Sequence, residues 1–236
     1  KGAPHAPHPH TLLEGGRLVM ESLFPGLTEN LLAAGNVRIN ATADLKWFHH
    51  GNWKCKEPID LEFLFQSRVD LEKEMRKFII ENDRITLLKA KVSQLLHDGD
   101  SNTIKGVKTS QEDLIHSDLV IDASGRNSKL QNWLLEIDCQ LPKTTDIPIN
   151  IKYQSRLYKR NPDEKSPVVI YPKAPIGRHS GGLFPILHDT YGPCWLACIM
   201  CREEEQLPDD LSGFMAFIKN LDQPDLYDKV QSLNSA

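Results

Sequence analysis

The spacing of apolar positions in the first 80 residues predicts three helices and a short extended stretch. Apolar residues recur at helical spacing from Leu12 to Leu23, and a second short helix is predicted to end at Gly35. Residues 37–48 have the pattern of extended chain. Ser67, with an acid three residues later, resembles a capping box that begins a third helix.

The middle of the chain favours strands. Residues 85–88 predict a short strand, and residues 91–117 predict three strands in a meander, with "HDGDSN" as a hairpin turn. Residues 118–122 are apolar at three successive positions, which is the pattern of a strand buried on both faces. Ser128 is placed to cap the helix that follows.

From about residue 141 the pattern changes to strand-like segments separated by Pro, Gly and Asp turns, which predicts an antiparallel sheet. Two helices are predicted after it, near 210–220 and 225–232. The predicted fold class is therefore α+β. The expected strands are 147–158, 167–172, 180–187 and 193–201.

Composition excludes several classes of function. The chain has 236 residues, of which 40% are hydrophobic and 25% charged, as in an ordinary soluble protein. The net charge of −4 gives no reason to expect nucleic acid or an anionic membrane as a partner. No apolar run approaches the roughly 18 residues of a transmembrane segment. The chain begins at Lys1 without a methionine or a secretory signal, so loss of an N-terminal segment stays open.

The five cysteines are predicted to be free and structural. The segment "CWLACIMC" favours a buried strand, in which Cys194 and Cys198 point to one face and Cys201 to the other, so they cannot converge on one metal ion. The three histidines among the first ten residues lie in a Pro-rich loop without regular metal-binding spacing. We therefore expect no metal, and a reducing, cytoplasmic compartment.

The segment "SDLVIDASGRNSKL" is a candidate nucleotide site. Its apolar run ends at Asp122, and small residues follow that let a ligand approach the backbone closely. The next helix would direct free N–H groups at that ligand, Asp122 could accept a hydrogen bond from a sugar hydroxyl, and Arg126 could pair with a phosphate. The local residues by themselves favour a simpler alternative, a strand-to-helix connection with an Asx-type turn.

Five segments together resemble FAD-dependent monooxygenases of the aromatic hydroxylase type. "GAPHAPHPHTLLEGGRLVMESLFPGLTENLLAAG" resembles the segment that follows the first nucleotide-binding unit of that family, and "FLFQSRVDLEKEMRKFI" resembles its strand-to-helix junction. "LVIDASGRNSKLQNWL" is similar to the second flavin motif. "YQSRLYKR" and "FMAFIKNLDQPDLYDKV" are similar to parts of the substrate domain. The five follow in the family's order and cover nearly the whole chain.

The resemblance implies a cofactor, a reaction and site residues. The cofactor is FAD, with NAD(P)H as co-substrate, and the reaction hydroxylates or epoxidises a small organic substrate with O₂. Val92 is expected to pack near the adenine, and no catalytic acid or base is assigned. The residues expected to contact the cofactor are Arg68, Asp122, Ala123, Ser124, Gly125 and Arg126.

The resemblance also implies that the chain is an internal fragment. The family carries G-x-G-x-x-G upstream of these segments and a Gly-Asp motif downstream, and neither occurs here. Residues 1–140 would then be part of an FAD-binding domain and residues 141–236 part of the substrate domain, with residues 37–62 assignable to either. Alone, such a fragment is expected to be inactive and to bind FAD weakly.

Two departures from the family pattern leave the reaction open. His5 stands where many members have Gln, and Ser124 replaces the Asp of the commoner motif, as in some flavin reductases, cyclases and halogenases. A flavin-dependent reductase or halogenase is therefore the alternative enzyme. A non-catalytic binding module with the same fold is the alternative of a different class.

Overall fold

The computed structural model describes residues 5–170, 179–202 and 206–236. Six α-helices and twelve strands lie within those ranges. In chain order they are β1 (His10–Leu13), α1 (Glu14–Leu23), α2 (Leu27–Ala33), β2 (Val37–Asn40), β3 (Lys46–His49), β4 (Asn52–Trp53), β5 (Glu62–Gln66), α3 (Arg68–Ile80), β6 (Val92–Asp98), β7 (Thr103–Thr109), β8 (Leu114–His116), α4 (Leu130–Glu136), β9 (Lys152–Lys159), β10 (Val168–Ile170), β11 (Ser180–His188), β12 (Gly192–Cys201), α5 (Leu211–Lys219) and α6 (Asp225–Gln231).

The chain divides into two compact units. The first consists of Lys1–Asn82 together with Pro148–Ala236, and the second is Asp83–Ile147. The two units are defined by the contacts between residues of the chain. The predicted division into an FAD-binding portion and a substrate portion is a division by function, and it stays a prediction.

A three-stranded antiparallel sheet in the first unit has the order β1-β5-β2. Its alternating side chains separate two apolar clusters. Leu64 faces the helices and packs with Leu12 and with residues of α2 and α3. Phe65 faces the other way and packs with Val37 and Val169. The sheet is thus buried on both sides, by helices on one face and by a second sheet on the other.

That second sheet has six strands in the order β4-β3-β10-β11-β12-β9. Its strands are antiparallel, except that β3 runs parallel to β10. Along β12, Trp195, Ala197 and Ile199 pack against α5 and α6. The intervening residues of β12, such as Cys198, therefore face away from these helices. A cavity lies on this second face of the sheet.

The second unit contains the antiparallel meander β6-β7-β8. The ladder between β6 and β7 shifts register after Leu96, which pairs with Gly106, while the next residue, His97, pairs with Ile104. Gly106 has φ of +142°, and a Cβ atom at this position would lie 2.0 Å from the Ile115 carbonyl oxygen. The β7–β8 pairing therefore requires glycine there.

Most predicted elements are confirmed. The meander and the strands after residue 150 are present, although residues 171 and 172 of one predicted strand lie outside the described residues. Ser67 caps α3, because its hydroxyl accepts the Asp70 N–H at 3.0 Å. The first helix begins at Glu14 rather than Leu12, since His10–Leu13 pairs with β5. The fold class is α+β, as predicted.

The strands predicted at 85–88 and 118–122 are wrong. Neither segment has regular secondary structure, and Leu119 and Ile121 are 73% and 78% exposed. A strand buried on both faces needs paired neighbours and covering layers. Within the described part of the chain, no strand pairs with residues 118–122. The apolar pattern predicts that residues 118–122 are buried, whereas the structure leaves Leu119 and Ile121 exposed.

Among the described residues, no helix has the length and apolar character needed to cross a membrane.

The strand predicted for "CWLACIMC" is present, as β12. The five cysteines of the chain differ in their exposure. Cys55 and Cys139 are exposed, whereas the three cysteines of β12 are buried. Burial raises the pKa of the Cys198 thiol to about 11. At pH 8 its thiolate fraction is then roughly one in a thousand, and the thiolate is the reactive form.

We therefore expect Ellman's reagent at pH 8 to label two thiols of the native protein quickly and the other three only after denaturation. A mass-spectrometric map of the labelled peptides identifies them. Fast labelling of any β12 cysteine would contradict this expectation.

Candidate functional site

A cavity of about 390 Å³ lies on the face of the six-stranded sheet opposite α5 and α6. Strand residues form its floor, and the chain between His5 and Thr11 forms its wall. No Lys, Arg, Asp or Glu lines it within the described residues. The lining residues are His5, His8, Pro9, His10, Thr11, Tyr153, Val169, Ser180, Gly181, Gly182, Phe184, Cys198 and Met200.

The open space depends on small residues at the floor. A Cβ atom on Gly182 would come within 2.5 Å of the Phe184 ring, so glycine lets this ring lie against the sheet. The ring also contacts Phe65, with centroids 5.8 Å apart. The floor is therefore apolar and partly aromatic, as in most small-molecule sites.

His8 is the polar group fixed most firmly in this cavity. Its Nδ1 atom lies 2.9 Å from Ser155 Oγ on β9, and its ring centroid lies 5.7 Å from that of Tyr153. Burial, followed by the nearby His10 and His5, lowers the pKa of His8. The imidazole is thus neutral at pH 7, with one ring nitrogen that can donate and one that can accept a hydrogen bond.

The other two histidines support the wall of the cavity. His10 Nε2 donates a hydrogen bond to the His5 carbonyl oxygen at 3.1 Å, and the two rings lie 5.1 Å apart. The loop closes on itself through these contacts and holds His8 over the sheet. The described residues contain no group of three or more His, Cys, Asp or Glu side chains that could hold a metal ion.

Asp122 organises the turn in which it lies. Its Oδ1 accepts hydrogen bonds from the Ser124 N–H at 2.8 Å and from the Ser124 hydroxyl at 2.6 Å, and its Oδ2 accepts one from the Ser128 hydroxyl. These hydrogen bonds, that of the Ser124 hydroxyl first, lower the pKa of Asp122. The local geometry is that of the Asx-type turn, which holds the carboxylate ionised.

The backbone of residues 123–126 is accessible to a ligand. All four are exposed, and Gly125, with φ of +77°, would have no heavy atom within 4 Å of an added Cβ. Arg126 lies in a 3₁₀ turn over Gly125–Asn127. Ser128 Oγ then accepts the Leu130 N–H at 3.0 Å, at the start of α4. A ligand can therefore approach the backbone of this turn without displacing a side chain.

The remaining predicted cofactor residues lie in different units. Val92 begins β6 in the second unit, as a half-buried residue, and that unit also contains the Asp122 turn. Arg68 is the first residue of α3 in the first unit, where its Nε pairs with Glu72 Oε1 at 2.7 Å. The side chain of Arg68 stays 39% exposed. Their joint role in cofactor binding stays a prediction.

The sequence reasoning missed the cavity over the sheet. The sequence assigns the histidines to a Pro-rich loop without metal-binding spacing, in a segment that resembles the flavin family, and predicts no cavity there. Alternation along β12 places Cys198 on the cavity side, but no sequence signal shows that His8 crosses that face. The Ser155 contact joins residues far apart in the chain.

Comparisons with known proteins agree with this architecture. No family model matches the sequence. Protein Rv3254 of Mycobacterium tuberculosis (strain H37Rv) is 26% identical over an alignment 169 residues long, which covers 66% of this chain and 36% of that protein.

Among solved structures, PqsL, a probable FAD-dependent monooxygenase from Pseudomonas aeruginosa, matches 95% of this chain with a TM-score of 0.71 and 14% identity. A mutant of PqsL gives the same TM-score and identity. The match covers 60% of the PqsL chain, or 59% in the mutant, so this chain spans only part of each protein it resembles. Over that part, the chain has the fold of an FAD-dependent monooxygenase.

Proposed function

We propose that this chain is part of an FAD-dependent oxidoreductase, and specifically of a monooxygenase that hydroxylates or epoxidises a small organic substrate with NAD(P)H and O₂. The observation that carries the proposal is the match to PqsL over 95% of the chain. The five segments that resemble the flavin family, in the same order, support it independently. Because the fold alone does not determine the reaction, the proposal also rests on the residues of the Asp122 turn and of the cavity over the six-stranded sheet.

The Asp122 turn fits a nucleotide cofactor. Its exposed backbone, the open space at Gly125 and the cation of Arg126 suit the sugar and phosphate groups of FAD. Val92, in the same unit as this turn, would add an apolar contact, and Arg68 of the first unit stays a separate predicted cofactor contact. When bound, FAD supplies electron transfer and the activation of O₂, which no side chain can provide.

The cavity over the six-stranded sheet is suited to a small organic substrate. Its volume of about 390 Å³ is that of a small-molecule site, and no Lys, Arg, Asp or Glu occurs among its described lining residues. An uncharged, largely apolar substrate would contact Phe184 and Met200. His8, held by Ser155, would orient the substrate through one hydrogen bond to a hydroxyl or carbonyl group.

The test of the proposal uses the full-length protein that contains this chain. We expect it to be yellow as purified, with the absorption bands of oxidised flavin, and to oxidise NADH or NADPH with consumption of O₂. Mass spectrometry of products then separates oxygen insertion from reduction or halogenation. A colourless protein that does not bind added FAD would instead favour a non-catalytic module.

A separate expectation concerns these 236 residues alone. We expect FAD to bind more weakly than about 1 µM, because the sequence has no G-x-G-x-x-G motif to supply N–H donors and a helix N-terminus to the phosphates. Quenching of flavin fluorescence during titration measures the affinity. Tighter binding would show that the Asp122 turn and its neighbours suffice.

A further inference from the structure

A second cavity, of about 300 Å³, lies beside the hairpin that joins β11 and β12. Leu157, Ile186 and Leu196 form its apolar floor. The strand register places them on the same sheet face as Cys198. The cavity shares only His8 with the first one. The polar residues that line it are His8, Gln66, Ser67, His188, Asp189 and Thr190.

The charge of this lining is negative. Asp189 is exposed in the hairpin turn, and no Lys or Arg lines the cavity in the part of the chain that the structure describes. The floor is apolar, so a ligand with an apolar body gains from burial there. The carboxylate at the mouth selects for positive charge on the exposed end of such a ligand.

Asp70 on α3 adds a second carboxylate beside Asp189. It is 5% exposed, and its Oδ2 is buried without a hydrogen-bond partner among the described residues. Burial, followed by the charge of the neighbouring Asp189 and a hydrogen bond with it, raises the pKa of Asp70, while a hydrogen bond with Ser67 and the charge of Lys73 oppose this. A buried acceptor without a donor is costly. Gln66, a lining residue of the cavity that is 1% exposed, has a buried Oε1 without a hydrogen-bond partner among the described residues.

These observations favour an organic cation over a metal ion. An ion would leave most of the cavity empty, and no group of three ligating side chains occurs within the described ranges. An ammonium group provides three N–H donors for the unpaired acceptors. We propose that this cavity binds a small organic amine, with its ammonium group at Asp189 and the Gln66 amide oxygen and its apolar body on Leu157, Ile186 and Leu196. The site goes beyond the flavin chemistry proposed above and does not depend on it.

The experiment titrates the protein, without flavin, with 2-phenylethylamine in a calorimeter. We expect a dissociation constant below about 1 mM, which corresponds to an ordinary ligand efficiency for so small a molecule. The neutral analogue 2-phenylethanol should bind at least about fivefold more weakly, since it has no charge to pair with the Asp189 carboxylate. Equal binding of amine and alcohol would overturn the proposal.

Two variants locate the site. Asp189→Asn should weaken amine binding by about fivefold or more, and its exposed position leaves the fold intact. Asp209→Asn, the same change at an exposed residue away from the cavity lining, is the control and should bind like the unmodified protein.

The proposal is overturned if Asp189→Asn binds the amine normally, or if CaCl₂ binds in an Asp189-dependent way while the amine does not. The assay contains no flavin, so its failure is distinguishable from failure of the proposed oxidoreductase function.

Discussion

Replacement of Gly106 by alanine is expected to unfold the β6-β7-β8 meander at temperatures where the unmodified protein keeps it. The added methyl group would lie 2.0 Å from the Ile115 carbonyl oxygen and 2.9 Å from His116 Cα, both of which belong to the backbone of β8. The φ of +142° adds strain for any residue other than glycine. We expect a loss of about 2–4 kcal/mol in the stability of the second unit.

Hydrogen exchange measured by mass spectrometry tests this, because it reports on the amides of β6, β7 and β8 separately from those of the first unit. The matched control is Gly99→Ala in the hairpin of the same meander, where an added Cβ meets nothing within 4 Å. If both variants exchange at the same rate, the close approach at Gly106 is not a structural requirement.

The second large effect is expected from Asp122→Ala in the full-length protein that contains this chain, whose proposed affinity for FAD should fall about ten- to a hundredfold. The carboxylate accepts three hydrogen bonds from Ser124 and Ser128, so its loss removes the groups that fix the turn beside the exposed backbone. Without FAD, the melting temperature should change little, because the turn lies outside the regular elements.

Flavin affinity and the melting temperature of the flavin-free protein are both measured for each variant. Asp118→Ala removes the same charge from the exposed residue at the start of this segment and should leave both quantities unchanged. Ser128→Ala removes one of the three hydrogen bonds and should fall between the two. A lower melting temperature with unchanged flavin affinity would show that Asp122 only shapes the turn.

Local signals in the sequence predicted the elements that depend on local physics. "HDGDSN" specified the β6–β7 hairpin, and Ser67 specified the start of α3 through a hydrogen bond that spans three residues. Alternation along "CWLACIMC" specified β12 because a strand has period two whatever pairs with it. These features require no knowledge of distant parts of the chain.

Features that depend on distant partners could not be predicted in this way. No local sequence pattern indicates the parallel pairing of β3 with β10, because each strand is short and its apolar residues could pack against many different strands. Leu119, Val120 and Ile121 have the composition of a buried strand, but composition does not supply the strands that would bury them. The position of His8 over the sheet likewise depends on Ser155.

The discontinuity of the first unit sets the order in which the chain can fold. The meander of the second unit is continuous in sequence, so it can form as soon as it leaves the ribosome. The strands β1, β2 and β5 can also assemble early with α1–α3, because all of them precede residue 82.

The six-stranded sheet can form only late in synthesis, because β3 is made long before its parallel partner, β10. During synthesis, Lys46–His49 therefore stays unpaired on one edge while most of its sheet does not yet exist. The exposed edge strand is the segment of the nascent chain that a chaperone would be expected to protect.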